Sequence, residues 1–472
     1  MRLFLIQWGE VGAPSIYEVA KELEKNGHTI PYWVVVSPTP PSFFAQFPQT
    51  VFHRHGDALR GKPAAGVDTS DFSPPSAELL SALSEAESVV LAMMNKLLGH
   101  LGVSERKHLY YQMVKYWSGV LARYKPDCII FPLVPHTVYD FVIYALAKHL
   151  KIKTVLFTAT QDFIRLVPMN DFKEGHRVIR EALERERSRQ FLLGEVSEDI
   201  RRYITKHSEV GADPTPPNMR NMKRYKPKKS KVVLRAIRDF SIFQKCFVYL
   251  FKRFGQNIQK EYACVSILPD FDKKFVYVPL QYQPEATTSP LGGVFVDQRL
   301  LVETVAASVP ADWLVYVKEH PRQLIFSGLN FSQYRYRGYY EGLAALPNVR
   351  IVPTDTDTFA LMSTAQAVAL NTGTAGLEAV LRGKPVLVFG YAWYRDCPGI
   401  FRVSDTQSCK TAFEKIRNGF KISRDALINF FAAVDRASFR GYLEMHTKAL
   451  SGISEDENTA NLTKAILAEL KG

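Results

Sequence analysis

The sequence predicts an α/β protein built from two Rossmann-like domains with parallel sheets. Three observations carry this. Short apolar runs alternate with helix-period segments along most of the 472 residues. Several of those runs stop abruptly in polar loops that contain Gly or Pro. A Pro-rich stretch followed by a strongly basic one divides the chain near its middle.

Residues 2–7 form an apolar first strand, which runs into residues 9–14 and a helix over 16–26 stopped by Gly27. Residues 28–36 are the next strand. The span from Pro38 to Pro75 is rich in Pro, Gly, Ser and His, is long for a simple connection, and reads as a functional loop. Helices follow over 77–98 and 105–124. Residues 126–132, a helix over 138–150 and a strand over 154–158 make one crossover unit, right-handed by general rule. The Arg- and Glu-dense residues 173–192 read as a helix with one solvated face. The domain division that follows is an N-terminal domain over 1–212, a basic inter-domain segment over 213–274, a second domain over 275–409 and a helical tail over 410–472.

The second domain repeats one pattern three times. Residues 275–280 form a strand that leads into the polar loop from Gln281 to Thr288, and Asp297 then opens a helix over 298–308. Residues 313–317 form a strand that ends in Lys318-Glu319-His320-Pro321, where Pro321 cannot continue a central strand. Residues 367–370 form a third strand, followed by Asn371-Thr372-Gly373-Thr374, a helix over 375–381, Gly383 as its stop and a strand opened by Pro385. Ligands of open α/β sheets bind at the carboxyl ends of the strands. Gln281, Lys318, His320 and the turn Thr372-Gly373-Thr374 are therefore expected to converge on one rim. There the turn's backbone N–H groups and hydroxyls, the Lys318 charge and a His320 hydrogen bond suit a phosphate. Gly373 and Gly376 are read as letting the backbone approach a ligand. Glu378, one turn into the helix, is placed to hold ribose hydroxyls.

Composition narrows the partners. The net charge is +13, with a pI near 9.3, which favours anionic ligands and surfaces. The excess is partly local: residues 222–238 are basic, and residues 243–254 mix aromatics with Lys and Arg. These are candidates for an anionic membrane surface. No nucleic-acid-binding signature accompanies the charge. No apolar run is long enough to span a bilayer, and residues 1–8 are too short an apolar stretch for a signal peptide. The five cysteines have no metal or redox spacing, so the cytoplasm is the expected compartment, with peripheral attachment to the inner face of the plasma membrane. Asp355 and Asp357 in Val-Pro-Thr-Asp-Thr-Asp-Thr-Phe are read as a helix start, with Asp357 the N-cap, in preference to a metal pair. No metal ligand set and no cofactor is expected. Four first-domain residues at strand ends, Glu10, His136, Asp140 and Asp162, are candidates for a general base, with Glu10 and Asp162 leading.

The ordered set Leu280-Gln281-x-Gln283-Pro284-Glu285, Lys318-Glu319-His320-Pro321, Thr372-Gly373-Thr374-Ala375-Gly376-x-Glu378-Ala379 and Gly383-Lys384-Pro385-Val386 resembles the capsule polysaccharide biosynthesis proteins. The resemblance covers about residues 275–395 well and the first half loosely. It implies a two-domain GT-B glycosyltransferase fold with sheets facing a cleft and C-terminal helices crossing back to the first domain. It also implies a nucleotide-sugar donor, a glycan or glycolipid acceptor, and a role in capsule or lipopolysaccharide synthesis. On that resemblance Gln281, Glu285, Thr372, Gly373, Thr374 and Glu378 bind the donor, and His320 and Lys318 act on it. The His-Pro pair is also similar to one in GT-B sialyltransferases that faces a CMP-sugar phosphate, which points to a CMP-activated acidic sugar such as Kdo. Two alternatives share the fold. One is a nucleotide-sugar 2-epimerase, and the other a non-catalytic nucleotide-sugar-binding subunit of an assembly complex.

Overall fold

The computed structural model describes residues 1–9, 14–36, 41–160, 164–208, 258–324 and 334–471. The chain divides into two compact units: Met1–Arg201 with Pro284–Val296 and Arg424–Gly472, and Arg202–Gln283 with Asp297–Ser423. The second division falls at Ser423/Arg424, so the helix Thr406–Arg417 belongs to the second unit and the helices after it to the first. Among the described residues no helix is long and apolar enough to cross a membrane.

The first unit holds a seven-stranded sheet. Its strands are β1 (Arg2–Ile6), β2 (Thr29–Val35), β3 (Val51–Arg54), β4 (Cys128–Ile130), β5 (Lys153–Thr160), β6 (Arg165–Met169) and β13 (Phe439–Arg440), in the order β13-β6-β5-β4-β1-β2-β3. From β3 to β5 all pairs are parallel; β6 and β13 pair antiparallel. Parallel strands buried on both faces need near-continuous apolar runs, and Leu3-Phe4-Leu5-Ile6 and Cys128-Ile129-Ile130 supply them, fully buried. The helix Glu455–Lys471 lies on the helix Pro14–Lys25 and sends Leu462, Ile466 and Leu470 into the same core as Leu3, Leu5, Trp8 and Ile16.

The expected loop over 38–75 is corrected by the structure. It contains β3 and a short helix, His55–Leu59. The strand has little apolar signal because His53 fills a core position, where its Nδ1 meets the Tyr32 hydroxyl at 2.8 Å and its Nε2 donates to the Lys62 carbonyl at 2.9 Å. The charged helix is shorter than expected, Arg177–Arg185. The antiparallel strands β6 and β13 were not anticipated, and β13 interrupts the expected all-helical tail.

The second unit holds a six-stranded, wholly parallel sheet of β7 (Phe275–Pro279), β8 (Leu314–Lys318), β9 (Val349–Ile351), β10 (Ala367–Leu370), β11 (Val386–Val388) and β12 (Ile400–Arg402). Their order is β12-β11-β10-β7-β8-β9. Numbered from β7, this is the 3-2-1-4-5-6 arrangement of a doubly wound sheet, whose switch point lies between its first and fourth strands. Both units are thus α/β with parallel-strand sheets, the expected fold class.

Candidate functional site

The switch point of the second sheet is the gap between the ends of β7 and β10, and one side chain bridges it. Gln281, just past β7, accepts from the Thr372 N–H, just past β10, through its Oε1 at 2.9 Å. Gln281 is held in turn by Gln298: its N–H donates to Gln298 Oε1 at 2.6 Å, and Gln298 Nε2 donates to its carbonyl at 2.9 Å. Asp297 positions Gln298 by capping the helix Gln298–Ala306, accepting from the Arg299 N–H.

The next residue carries the rim across to β8. The Tyr282 ring lies 5.8 Å from the His320 ring, centroid to centroid, and the Arg322 guanidinium sits 4.9 Å over the Tyr282 ring. His320 Nδ1 accepts from the Arg322 N–H at 3.2 Å. A neutral ring then carries its proton on Nε2, as a donor. Burial pushes the His320 pKa down, with Arg322 and Lys318 adding to the effect and Glu319 opposing it.

Behind His320 lies a fully buried ion pair. Glu319 accepts from Arg335 Nε at 2.6 Å, the Tyr340 hydroxyl at 2.7 Å and the His320 N–H at 2.7 Å. Arg335 Nη1 donates to Gln283 Oε1 at 2.5 Å, and the Gln283 N–H donates to Gln323 Oε1 at 2.9 Å. Burial opposes the Arg335 charge, but Glu319, Tyr339 and Tyr340 together outweigh it and raise the Arg335 pKa. The loops after β7 and β8 are therefore tied together beneath the rim.

Several expected site residues sit differently. Lys318 is buried and turned onto the next loop, donating to the Thr356 carbonyl at 2.5 Å and to Thr358 Oγ1 at 2.8 Å. Burial lowers its pKa, against the pull of Asp357 and Asp355. Asp357 caps the helix Thr358–Thr364 by accepting from the Phe359 N–H at 2.8 Å. Among the described residues no group of three or more His, Cys, Asp or Glu is arranged to hold a metal ion. Gly376 does not leave room for a ligand: a Cβ there would strike the Tyr394 hydroxyl, which donates to the Gly373 carbonyl. A Cβ on Gly373 would lie 3.1 Å from Gln281 Nε2. These glycines admit side chains of the protein itself. Thr374 is exposed at the start of the seven-residue helix Ala375–Leu381, and Glu378 is buried within it. Glu285 is exposed and lies in Pro284–Val296, the stretch that clusters with the first unit.

In the first unit Asp140 is buried at the start of the helix Tyr139–His149, and His136 is half-buried in the loop after β4. Glu10, Asp162, and the basic and aromatic residues 223–231 and 243–254 lie outside the described residues. The structure thus brings Gln281, Thr372, Gly373 and, through Tyr282, His320 to one rim. Sequence reasoning missed Tyr282, Arg335, Gln298 and Tyr394. Tyr282 stood in a recognised loop, but the Arg335 partnership with Glu319 spans sixteen residues with no local signal.

The family comparison falls on this rim. Residues 243–433 match the family described as capsule polysaccharide biosynthesis protein. That segment of the chain is similar to the capsule polysaccharide biosynthesis family. The capsule-family segment includes all six strands of the second sheet and every rim residue named above. A search of curated proteins finds no match. Among solved structures, the chain is similar to the UDP-GlcNAc 2-epimerase from Methanocaldococcus jannaschii at 14% identity, covering 92% of this chain and 98% of that one, with a TM-score of 0.27. It is also similar to Thermosulfurimonas dismutans KpsC, described as a beta Kdo 2,7 transferase, at 13% identity, covering 74% and 88%, with a TM-score of 0.30. A second KpsC structure from that organism, described as a beta Kdo 2,4 transferase, gives 14% identity, 65% and 79% coverage and a TM-score of 0.29. Likeness at this level carries nothing about chemistry.

Proposed function

We propose that this chain is a capsule glycosyltransferase whose second unit takes a nucleotide-sugar on the Gln281–Tyr282–His320–Thr372 rim. The observation that carries the reading is the coincidence of the capsule-family segment with a polar rim at the switch point of a 3-2-1-4-5-6 sheet. Sheets of this order bind nucleotides at that gap.

The chemistry follows from the donors available. A leaving nucleotide phosphate gains charge as the glycosidic bond breaks, and preorganised donors stabilise it. The His320 Nε2–H and the exposed Thr374 hydroxyl are such donors. Lys318 acts at one remove, shaping the turn at Thr356–Thr358. The donor in this reading is a CMP-activated acidic sugar such as Kdo. The acceptor is a glycan or glycolipid of the bacterial surface, and transfer needs no metal.

The test is a panel of CMP-, UDP- and GDP-sugars in a thermal-shift assay on the full chain, followed by mass spectrometry of transfer to capsular oligosaccharide. A bound donor at a hundred times its Kd stabilises by about 2.7 kcal/mol, so the right one stands out. Stabilisation by the CMP-sugar with transfer supports the reading in full. Epimerised UDP-sugar without transfer, or stabilisation with no turnover of any donor, overturns it.

A further inference from the structure

The first unit has a switch point of its own, between β1 and β4, and a cavity of about 140 Å³ opens there. Gln7, Leu133, Val134, His136, Asp140 and Leu443 are among the residues lining it. That space admits several waters, and so the hydroxyl-bearing edge of a sugar.

Two candidate bases border the cavity, and their hydrogen bonds separate them. Asp140 is fully engaged. Its Oδ1 accepts from the N–H groups of Thr137 and Phe141, both at 2.7 Å, and its Oδ2 from the His136 N–H at 3.0 Å and Gln7 Nε2 at 2.8 Å. A proton on this carboxylate would displace at least one of those donors. Its bonds also tie down two residues in conformations that side chains rarely adopt, Gln7 just past β1 at φ 54° and Val138, the N-cap of the helix Tyr139–His149, at φ 75°. His136 is arranged in the opposite sense. Its Nδ1 meets the Val134 carbonyl at 2.8 Å, and a carbonyl can only accept, so Nδ1 carries the proton. The neutral ring therefore keeps its lone pair on Nε2, which is the tautomer a general base requires. The neighbouring imidazole, His55, is turned onto the Tyr139 hydroxyl at 2.8 Å instead.

We propose that this cavity receives the acceptor hydroxyl of a sugar and that His136 Nε2 is the base that takes its proton, with Asp140 as a positioning residue. The inference rests on the glycosyltransferase reading above. In the step, the acceptor O–H bond breaks and its proton passes to Nε2. The oxygen bonds to the donor's anomeric carbon. The bond from that carbon to the phosphate oxygen breaks, and its electron pair leaves with the nucleotide.

The experiment compares the full-length wild type with His136→Ala and His136→Gln, using CMP-Kdo, UDP-GlcNAc and GDP-mannose as donors and a pool of capsular oligosaccharides as acceptor. Positioned proton transfer contributes about 10²- to 10⁴-fold, so kcat should fall by that factor in both variants. The donor-induced shift in Tm and the KM for oligosaccharide should stay near wild type, and added imidazole should restore part of the turnover of His136→Ala. Unchanged kcat in either folded variant overturns the assignment. So does a loss that imidazole leaves untouched while Tm falls. Should His136→Ala not fold, His136→Gln decides: its amide can still donate to Val134 but has no basic nitrogen. A wild type that transfers from no donor defeats the glycosyltransferase reading itself, and this assignment with it. A wild type and variants that transfer equally defeat only the role of His136.

Discussion

His320 and His53 show how the same side chain is put to two uses. At the rim, His320 presents Nε2–H outward because Nδ1 is occupied by the Arg322 N–H. His320→Ala should cut transfer about a hundredfold, the usual loss for one preorganised donor, with the protein still folded. Turnover near wild type in a folded variant would remove His320 from the mechanism. In the first unit, His53 belongs to a directed chain that ends on the Lys62 carbonyl. The Ala64 N–H donates to the Tyr116 hydroxyl at 2.9 Å, the Tyr116 and Tyr32 hydroxyls meet at 2.8 Å, and Tyr32 meets His53 Nδ1. Burial pushes the His53 pKa down from 6.5 to about 4, against the opposing pull of the Lys62 carbonyl and Asp57. The unfolded chain then binds the proton more readily than the folded one between those values. Stability is fully present above pH 6.5 and declines as pH falls toward 4, by about 3 kcal/mol from this group. Thermal melts across that range should show the decline, and His53→Gln should flatten it. An equal slope in the variant would assign the acid sensitivity elsewhere.

At the scale of elements, the turn after β9 that opens the helix Thr358–Thr364 is stabilised by polar side chains. Asp357 caps the helix, and Lys318 clamps the turn before it. Asp357→Ala should cost about 1 kcal/mol as a lost N-cap, read as a lower Tm. Asp355→Asn should likewise change stability more than turnover, and transfer should persist in excess EDTA. If EDTA abolished activity and Mg²⁺ restored it, the two aspartates would have to be reassigned as cation ligands. The β6–β13 edge is held on the same principle. Buried Arg165 pairs with Asp199 at 2.6 Å and with Asp435 at 3.0 Å, and donates to Ser438 Oγ at 3.2 Å. Those bonds recruit Phe439–Arg440 to a sheet formed more than 270 residues earlier.

For the whole molecule, the last helix is part of the first unit's core. Leu462 is fully buried among β1 and Pro14–Lys25 side chains. Leu462→Ala should destabilise that unit by about 2–5 kcal/mol while leaving the donor-induced shift of the second unit in place. Loss of donor stabilisation as well would mean that the units unfold together. The net charge of +13 makes a further expectation for the full chain. Each basic residue near an anionic bilayer contributes about 1 kcal/mol. Liposome flotation should therefore show binding that weakens with salt and with Lys228→Glu plus Lys229→Glu. Equal flotation on neutral vesicles would assign residues 223–231 to a linker.

The sequence by itself determined the elements whose signal is local. Continuous apolar runs marked β1, β4, β7, β8 and β10, Gly383 and Pro385 bounded one crossover, and Asp297 and Asp357 marked two helix starts. It also marked Gln281, His320 and Thr372 as strand-end residues, since a polar break after an apolar run is visible in one dimension. Only the tertiary structure decided what those residues touch. β3 was hidden because His53 and Tyr32 satisfy each other across two strands, so a polar side chain occupies the core without an apolar period. Glu319 gains its partner from Arg335, Gly376 its constraint from Tyr394, and Asp140 its fourth donor from Gln7. Such pairings are fixed by strand order and packing. Strand order follows from crossovers between distant segments, which leave no mark on the neighbouring residues of either one.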